Sequence, residues 1–321
     1  MVIEHARAHA LPKPWGRLDL HPWSNVHHDG GAIGEIWYER PGNIAADSSL
    51  LLKLLFTNQP LSIQVHPDDA FAHGMGLPRG KSEAWYVLSA EPGAQVALGL
   101  DQRLTPPQLR KAIDDGSISD LVRWQAVAAD DVVSVPAGTI HAIGAGLVIA
   151  EIQQRSDTTF RMFDHGRGRE LHVEQAMAVA DCAPVGLGAP AKRITDARTL
   201  LTSNAHFVLE RLDLAANSTW SLDAERETWL LVIGGSARIG SLDLAAGDAV
   251  FAQADRTEIH PGAGGMVCLV AYTGVGLLPH LLQCLGQPSP ADEGRRADVQ
   301  VPISVTTAKA APAGMRLEKT Q

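Results

Sequence analysis

Gln64 and His66 stand two residues apart, Glu83 follows seventeen residues after His66, and His141 closes the segment Pro136-Ala137-Gly138-Thr139-Ile140-His141. In an extended strand, residues i and i+2 point to one side, so Gln64 and His66 present an amide and an imidazole together. Glu83 opens the next apolar run, Ala84-Trp85-Tyr86-Val87-Leu88, and His141 stands where a further strand begins. Two imidazoles, a carboxylate and an amide oxygen make a four-ligand set. Zinc takes such donors at about 2.0–2.2 Å and, in catalytic sites, keeps room for water or substrate. With Glu83 the only anion, the complex retains about one positive charge, suited to polarising a carbonyl and holding an enediolate. Manganese, iron or nickel accept the same shell. Taken singly, a Gln-x-His pair reads as surface strand and a Pro-x-Gly-x-x-His as an ordinary turn. Their order along one chain carries the metal reading.

Ligands so far apart in sequence need a barrel interior to meet. Ile33–Tyr38 reads as a strand, residues 49–66 as two strands around the Asn58-Gln59-Pro60 turn, and Val132–Val135 and Leu147–Ile152 as two more. Pro67–Ala72 suits a helical turn with Asp68 or Asp69 near its N-terminus. Thr105 caps a helical pattern that has Pro106 in its first turn and Gly116 past its end, a small insertion near 105–125. A second helix is expected over Val173–Val179. The order of turn, short strand and Pro-x-Gly-x-x-His over 131–141 resembles the second motif of a cupin. Gly247–Glu258 repeats the layout, with Gln253 in place of the proline, Asp255 of the glycine and Glu258 of the histidine. The expected fold is therefore mainly β, two cupin-type (jelly-roll) barrels of which the second has lost its metal. A metal-binding domain over 1–182, a Gly-, Pro- and Ala-rich linker over 183–200, and a degenerate barrel with tail over 201–321 follow.

A length of 321 residues, 45% of them hydrophobic, suffices for two cores. Only 5% are aromatic, but 30 glycines and 19 prolines suit many short strands. Cys182, Cys268 and Cys284 are odd in number and lack a CxxC pair, which excludes a disulfide framework or thiolate zinc site and fits a reducing compartment. The N-terminus lacks an apolar h-region and no apolar run is long enough to span a bilayer, so a cytoplasmic location with no membrane partner is expected. A net charge of −9 excludes nucleic acid as a partner and requires any anionic substrate to be drawn by local Lys and Arg.

The segments Leu52–Leu55, Pro60–Asp69, Gly80–Leu88, Pro136–Gly144 and Glu151–Arg161 together resemble the type I mannose-6-phosphate isomerases, over roughly residues 12–180 and in the compact bacterial form. The resemblance implies an isomerase of hexose phosphates with one zinc ion per chain, held by Gln64, His66, Glu83 and His141. It further implies catalytic roles for Arg161, Lys81 and Asp157, and a substrate-binding part for Ser62 and Lys53. Phe160, Phe163 and His165 stand where relatives carry tyrosines or other aromatics, which removes hydroxyls near the pocket but no ligand.

Moving a proton between C2 and C1 of an open-chain sugar through a cis-enediol needs a base, an electrophile and a phosphate anchor. Zinc and Arg161 suit the electrophile. Lys81, made less basic by burial, and Asp157 are both candidates for the base. Lys53 sits among leucines, where a buried cation needs an anion, and a substrate phosphate is one candidate. Arg155, Arg161, Arg167 and Arg169 form a basic stretch, in which Arg167 and Arg169 are expected to pair with Asp157, Asp164 or Glu170. His27, His28, His165 and His172 are expected to be surface or structural. Two other classes remain open at this point: a cupin oxygenase holding iron, and a non-catalytic sugar-phosphate-binding cupin.

Overall fold

The computed structural model describes residues 2–26, 30–41, 48–186 and 188–286. The His27-His28 pair and the expected tail beyond 287 lie outside the described residues. Two antiparallel sheets form the N-terminal barrel. One runs, in spatial order, through Arg7–Arg17, Ile33–Glu39, Leu50–Thr57, Leu147–Gln154, Glu83–Ala90 and Val132–Val135. The other runs through Phe160–Phe163, Ile63–Val65, His141–Ile143, Gln95–Leu100 and Val122–Ala126. A ten-stranded sheet builds the C-terminal barrel, with its long strands Thr228–Ile239 and Asp255–Thr273 paired along most of their length. The fold is mainly β, as expected.

Strand Leu50–Thr57 is buried at every position because each of its faces meets a different core. Leu50, Leu52, Leu54 and Phe56 pack with Tyr86, Ile152, Trp229 and Phe251 in a layer between the barrels. Leu55 and its neighbours Trp85, Val87 and Ile149 fill one end of the N-terminal barrel. By the same alternation Lys53 faces that interior, as do Glu83 and Glu151 on their strands. Burying a Leu or Phe contributes about 1.5–3 kcal/mol, so this two-sided strand anchors both barrels.

The helices lie outside the smaller sheet. Asp68 caps Asp69–Gly74 by accepting from Phe71 N at 2.8 Å. The Gln108 side chain accepts from Thr105 N at 2.8 Å at the start of Pro106–Asp114. Gly116, at φ +79°, turns the chain into a further helical turn, Ile118–Leu121. These pack through Leu109, Ile113 and Ile118 against Ile63, Val65 and Ile140, with Ala176 of the Val173–Val179 helix closing the same core. No helix among the described residues is long and apolar enough to cross a membrane.

Two features depart from the sequence reading. Strand Val2–His5 pairs with Ala249–Gln253 and so belongs to the C-terminal sheet. Strands Lys192–Arg193, inside the stretch read as linker, and Arg198–Ser203, which overlaps its end, already belong to that sheet. Both rest on long-range pairing, to which local composition is blind.

Candidate metal centre and its cavity

Strand register assembles the site. Gln64 pairs with His141 on one side and with Arg161 on the other, which puts all three side chains on one face of the smaller sheet. Glu83 reaches the same place from the larger sheet, where it pairs with Gln153 and Val135. His66 follows directly after the Ile63–Val65 strand.

Each imidazole is oriented by the backbone. His66 Nδ1 lies 2.9 Å from the carbonyl of Thr158, and His141 Nδ1 lies 2.8 Å from that of Thr139. A carbonyl only accepts, so Nδ1 carries the proton and both Nε2 lone pairs turn inward. His66 Nε2 lies 3.4 Å from Glu83 Oε2, and His141 Nε2 lies 3.4 Å from Glu83 Oε1. Taking one donor atom from each of His66, Glu83 and His141, all three lie within 4.8 Å of one another, close enough to share one ion. Glu83 Oε2 is buried without an aligned hydrogen bond and faces the Lys81 ammonium and the His66 ring nitrogen. The Gln64 amide nitrogen is 3.4 Å from His141 Nε2, while its oxygen accepts from Ser62 Oγ at 3.0 Å. Turning the amide over exchanges the two atoms and brings the oxygen to the imidazoles.

Burial, then the charge of Lys81, pushes His66 down to about 3, and burial likewise lowers His141, so both are neutral and ready to ligate. Burial raises the Glu83 carboxyl, but Lys81 and His66 outweigh it and hold the group well below the usual range. Lys81 Nζ sits 2.9 Å from Glu83 Oε2. Burial works against its charge too, yet Glu83 and Glu151 more than offset that and hold the ammonium above its ordinary value. A charged Lys81 thus replaces the less basic amine suggested by its burial alone.

These groups border a cavity of about 240 Å³, and Lys53, Ser62, Gln64, Lys81, Glu83, Asp157 and Arg161 all lie on its wall. His66 and His141, each 1% exposed, stand behind it. The anion that Lys53 requires belongs to the protein. Its ammonium is 3.3 Å from Glu151 Oε1 and lies over the Trp37 ring. Arg161 donates to the Glu170 carbonyl at 2.7 Å, and its buried Nε has no partner. Arg167 and Arg169 both pair with Asp164, as expected, although Arg169 also reaches the cavity.

Sequence reading overlooked Lys13, Glu35 and Glu151 on the same wall. Glu35 accepts from Trp37 Nε1 at 2.6 Å and pairs with Lys13 at 3.3 Å. Burial raises its carboxyl, but Lys53 and Lys13 bring it below its ordinary value. Burial and then Glu83 push Glu151 up. A carboxylate inside the eight-residue buried run Leu147–Gln154 was the available signal, as strong as Lys53 among leucines.

Among the described residues His66, Glu83 and His141 are the one group of His, Cys, Asp and Glu side chains close enough to share an ion. In the second barrel Glu258 instead pairs with His260 at 3.0 Å on the surface. Fold and site together define a two-barrel cupin with, among the described residues, one candidate metal centre.

The particular likeness is to the mannose-6-phosphate isomerases. The chain is 44% identical to the enzyme of that name from Streptococcus mutans over 136 residues, which cover 40% of this chain and 43% of the relative. It is 36% identical to a Bacillus subtilis mannose-6-phosphate isomerase over 169 residues, 49% of this chain and 53% of the relative. The matches thus span about half the length of these curated relatives. No family model matches. Among solved structures, the mannose 6-phosphate isomerase of Bacillus subtilis superposes with a TM-score of 0.75 at 22% identity, covering 85% of this chain and 100% of that one. A zinc-bound mannose 6-phosphate isomerase superposes with a TM-score of 0.67 at 14% identity, covering 85% and 100%. The fold is that of the phosphomannose isomerases.

Proposed function

We propose that the protein interconverts mannose 6-phosphate and fructose 6-phosphate, with one zinc ion per chain held by Gln64, His66, Glu83 and His141. The observation that carries this reading is the convergence of the His66, Glu83 and His141 donors within 4.8 Å of one another beside a cavity walled by Lys53, Lys81 and Arg161. The sequence likeness to named isomerases supports it. Every proposed site residue lies between 53 and 161, which supports catalysis by the N-terminal barrel. The three thiols, all unpaired, are consistent with a cytoplasmic enzyme.

Zinc, when bound, supplies a Lewis acid for the substrate carbonyl. Arg161, with a buried Nε that lacks a partner, donates to the oxyanion that develops as the cis-enediol forms. Lys81, kept positive beside Glu83, adds charge to the same wall. Asp157, the exposed carboxylate on that wall, takes the proton from one carbon and returns it to the other. Ser62 and Lys53 receive the phosphorylated chain. Cations on the wall give the acidic protein the local attraction that an anionic sugar requires.

The test is turnover of mannose 6-phosphate by the purified protein, before and after chelation and zinc restoration, with His141→Ala in parallel. Activity abolished by both treatments and restored by zinc only in the wild type is expected. A zinc-loaded wild type that fails to turn the sugar over would reject the isomerase reading.

A further inference from the structure

The C-terminal barrel has lost its own metal motif, yet one of its carboxylates enters the N-terminal barrel. Glu227, 6% exposed, accepts from Ser48 Oγ at 2.7 Å, from Ser49 N at 2.6 Å, from Leu50 N at 2.9 Å and from Trp229 Nε1 at 3.1 Å. Four donors saturate this carboxylate and fix the first residues of the Leu50–Thr57 strand. The same backbone then holds the next segment, because the Ser49 carbonyl accepts from Arg155 N at 2.8 Å. Arg155 begins the turn that carries Asp157 and Thr158. Gln153 Nε2 donates to the Ser156 carbonyl at 2.6 Å from within the strand, and Thr158 N donates to Ser156 Oγ at 3.3 Å. The chain of contacts ends at the Thr158 carbonyl, the group that orients His66.

We propose that Glu227 is a positioning residue for the metal centre. Through Ser49 and Arg155 it sets the turn whose Thr158 carbonyl aims His66 and whose Asp157 reaches the cavity. Charge-assisted bonds from backbone N–H groups to a buried carboxylate are shorter and stronger than neutral ones, so a neutral amide at 227 cannot replace it. Outer partners of metal-binding histidines typically change metal affinity or activity about 10–100-fold. Glu227 acts one step further out, which places its effect at the lower end. The role rests on the metal reading above but not on the identity of the sugar.

The experiment compares Glu227→Gln and Glu227→Ala with the wild type in zinc affinity, measured by competition with a chelating dye, and in kcat and KM for mannose 6-phosphate. Glu210→Gln serves as control, since it perturbs an equally buried carboxylate of the same barrel with no path to His66. About tenfold weaker zinc binding and a lower kcat are expected for Glu227→Gln, with the control at wild-type values despite a lower melting temperature. Folded Glu227→Gln with wild-type zinc affinity would overturn the proposal, as would equal loss of affinity in Glu210→Gln. Should Glu227→Ala fail to fold, Glu227→Gln decides alone. A wild type that binds zinc but does not isomerise the sugar would reject the function while leaving the affinity comparison intact.

Discussion

In the C-terminal barrel, Arg198 meets Glu210 through two bonds of 2.8 Å, Tyr272 Oη donates to the same carboxylate at 2.6 Å, and the Leu278 carbonyl takes a further guanidinium proton at 2.9 Å. In the N-terminal barrel, Lys53 stands 3.3 Å from Glu151 and Lys81 stands 2.9 Å from Glu83, but an oxygen of each carboxylate is left without a hydrogen bond. Among the described residues every buried side-chain atom lacking a partner belongs to the N-terminal half. Native proteins satisfy nearly all such atoms, and of these exceptions Glu83, Glu151 and Arg161 lie on the cavity wall, where a ligand would meet them. One barrel closes a buried ion pair within its own core, and the other keeps its buried charges on the wall of a cavity.

Breaking the closed pair gives the largest expected loss of stability. Arg198→Met leaves Glu210 charged and buried, which costs about 3–5 kcal/mol, and zinc content and kcat of the surviving folded protein stay at wild-type values. Denaturant melts paired with an activity assay check both parts. Adding Glu210→Leu restores much of the stability, because well-packed apolar replacements of a buried pair are often neutral.

Arg161→Ala, in the open barrel, reverses the pattern. Loss of a preorganised donor costs about 2.7–4 kcal/mol in the transition state, a fall in kcat of about 10²–10³, with little change in melting temperature. A comparable fall in stability with unchanged kcat would erase the distinction between the barrels. Lys53→Met sharpens it at the small end. Glu151, already pushed up by burial, takes a proton when its partner goes, so stability falls by only about 1–3 kcal/mol while KM for mannose 6-phosphate rises. Parallel melts and substrate titrations separate the two effects.

The grouping of His66, Glu83 and His141 was legible in the sequence because metal coordination admits few residue types, and the placing of Gln64 beside them because it shares a strand face with His66 at short range. The helices were legible through Asp68, Thr105 and Gly116, whose capping and turn roles are local. Glu35 and Glu151 were not, since nothing local tells that the strand after Gly146 lies beside the strand of Lys53, with Glu151 directly opposite the lysine. The placement of Val2–His5 on the far barrel and of Arg198–Ser203 in its sheet was hidden for the same reason. Gln253, Asp255 and Glu258 stand where the first barrel's motif has proline, glycine and histidine, and Glu258 pairs with His260 on the surface.

The strand Leu50–Thr57, with one face in each core, makes the N-terminal barrel a poor candidate for independent life. A fragment ending at 182 would turn Leu52, Leu54, Phe56, Tyr86 and Ile152 out into water as one continuous oily face. Such a fragment would contain every proposed ligand and still have to be chaperoned by a partner that it no longer carries. The second barrel is therefore the half that keeps this face out of water.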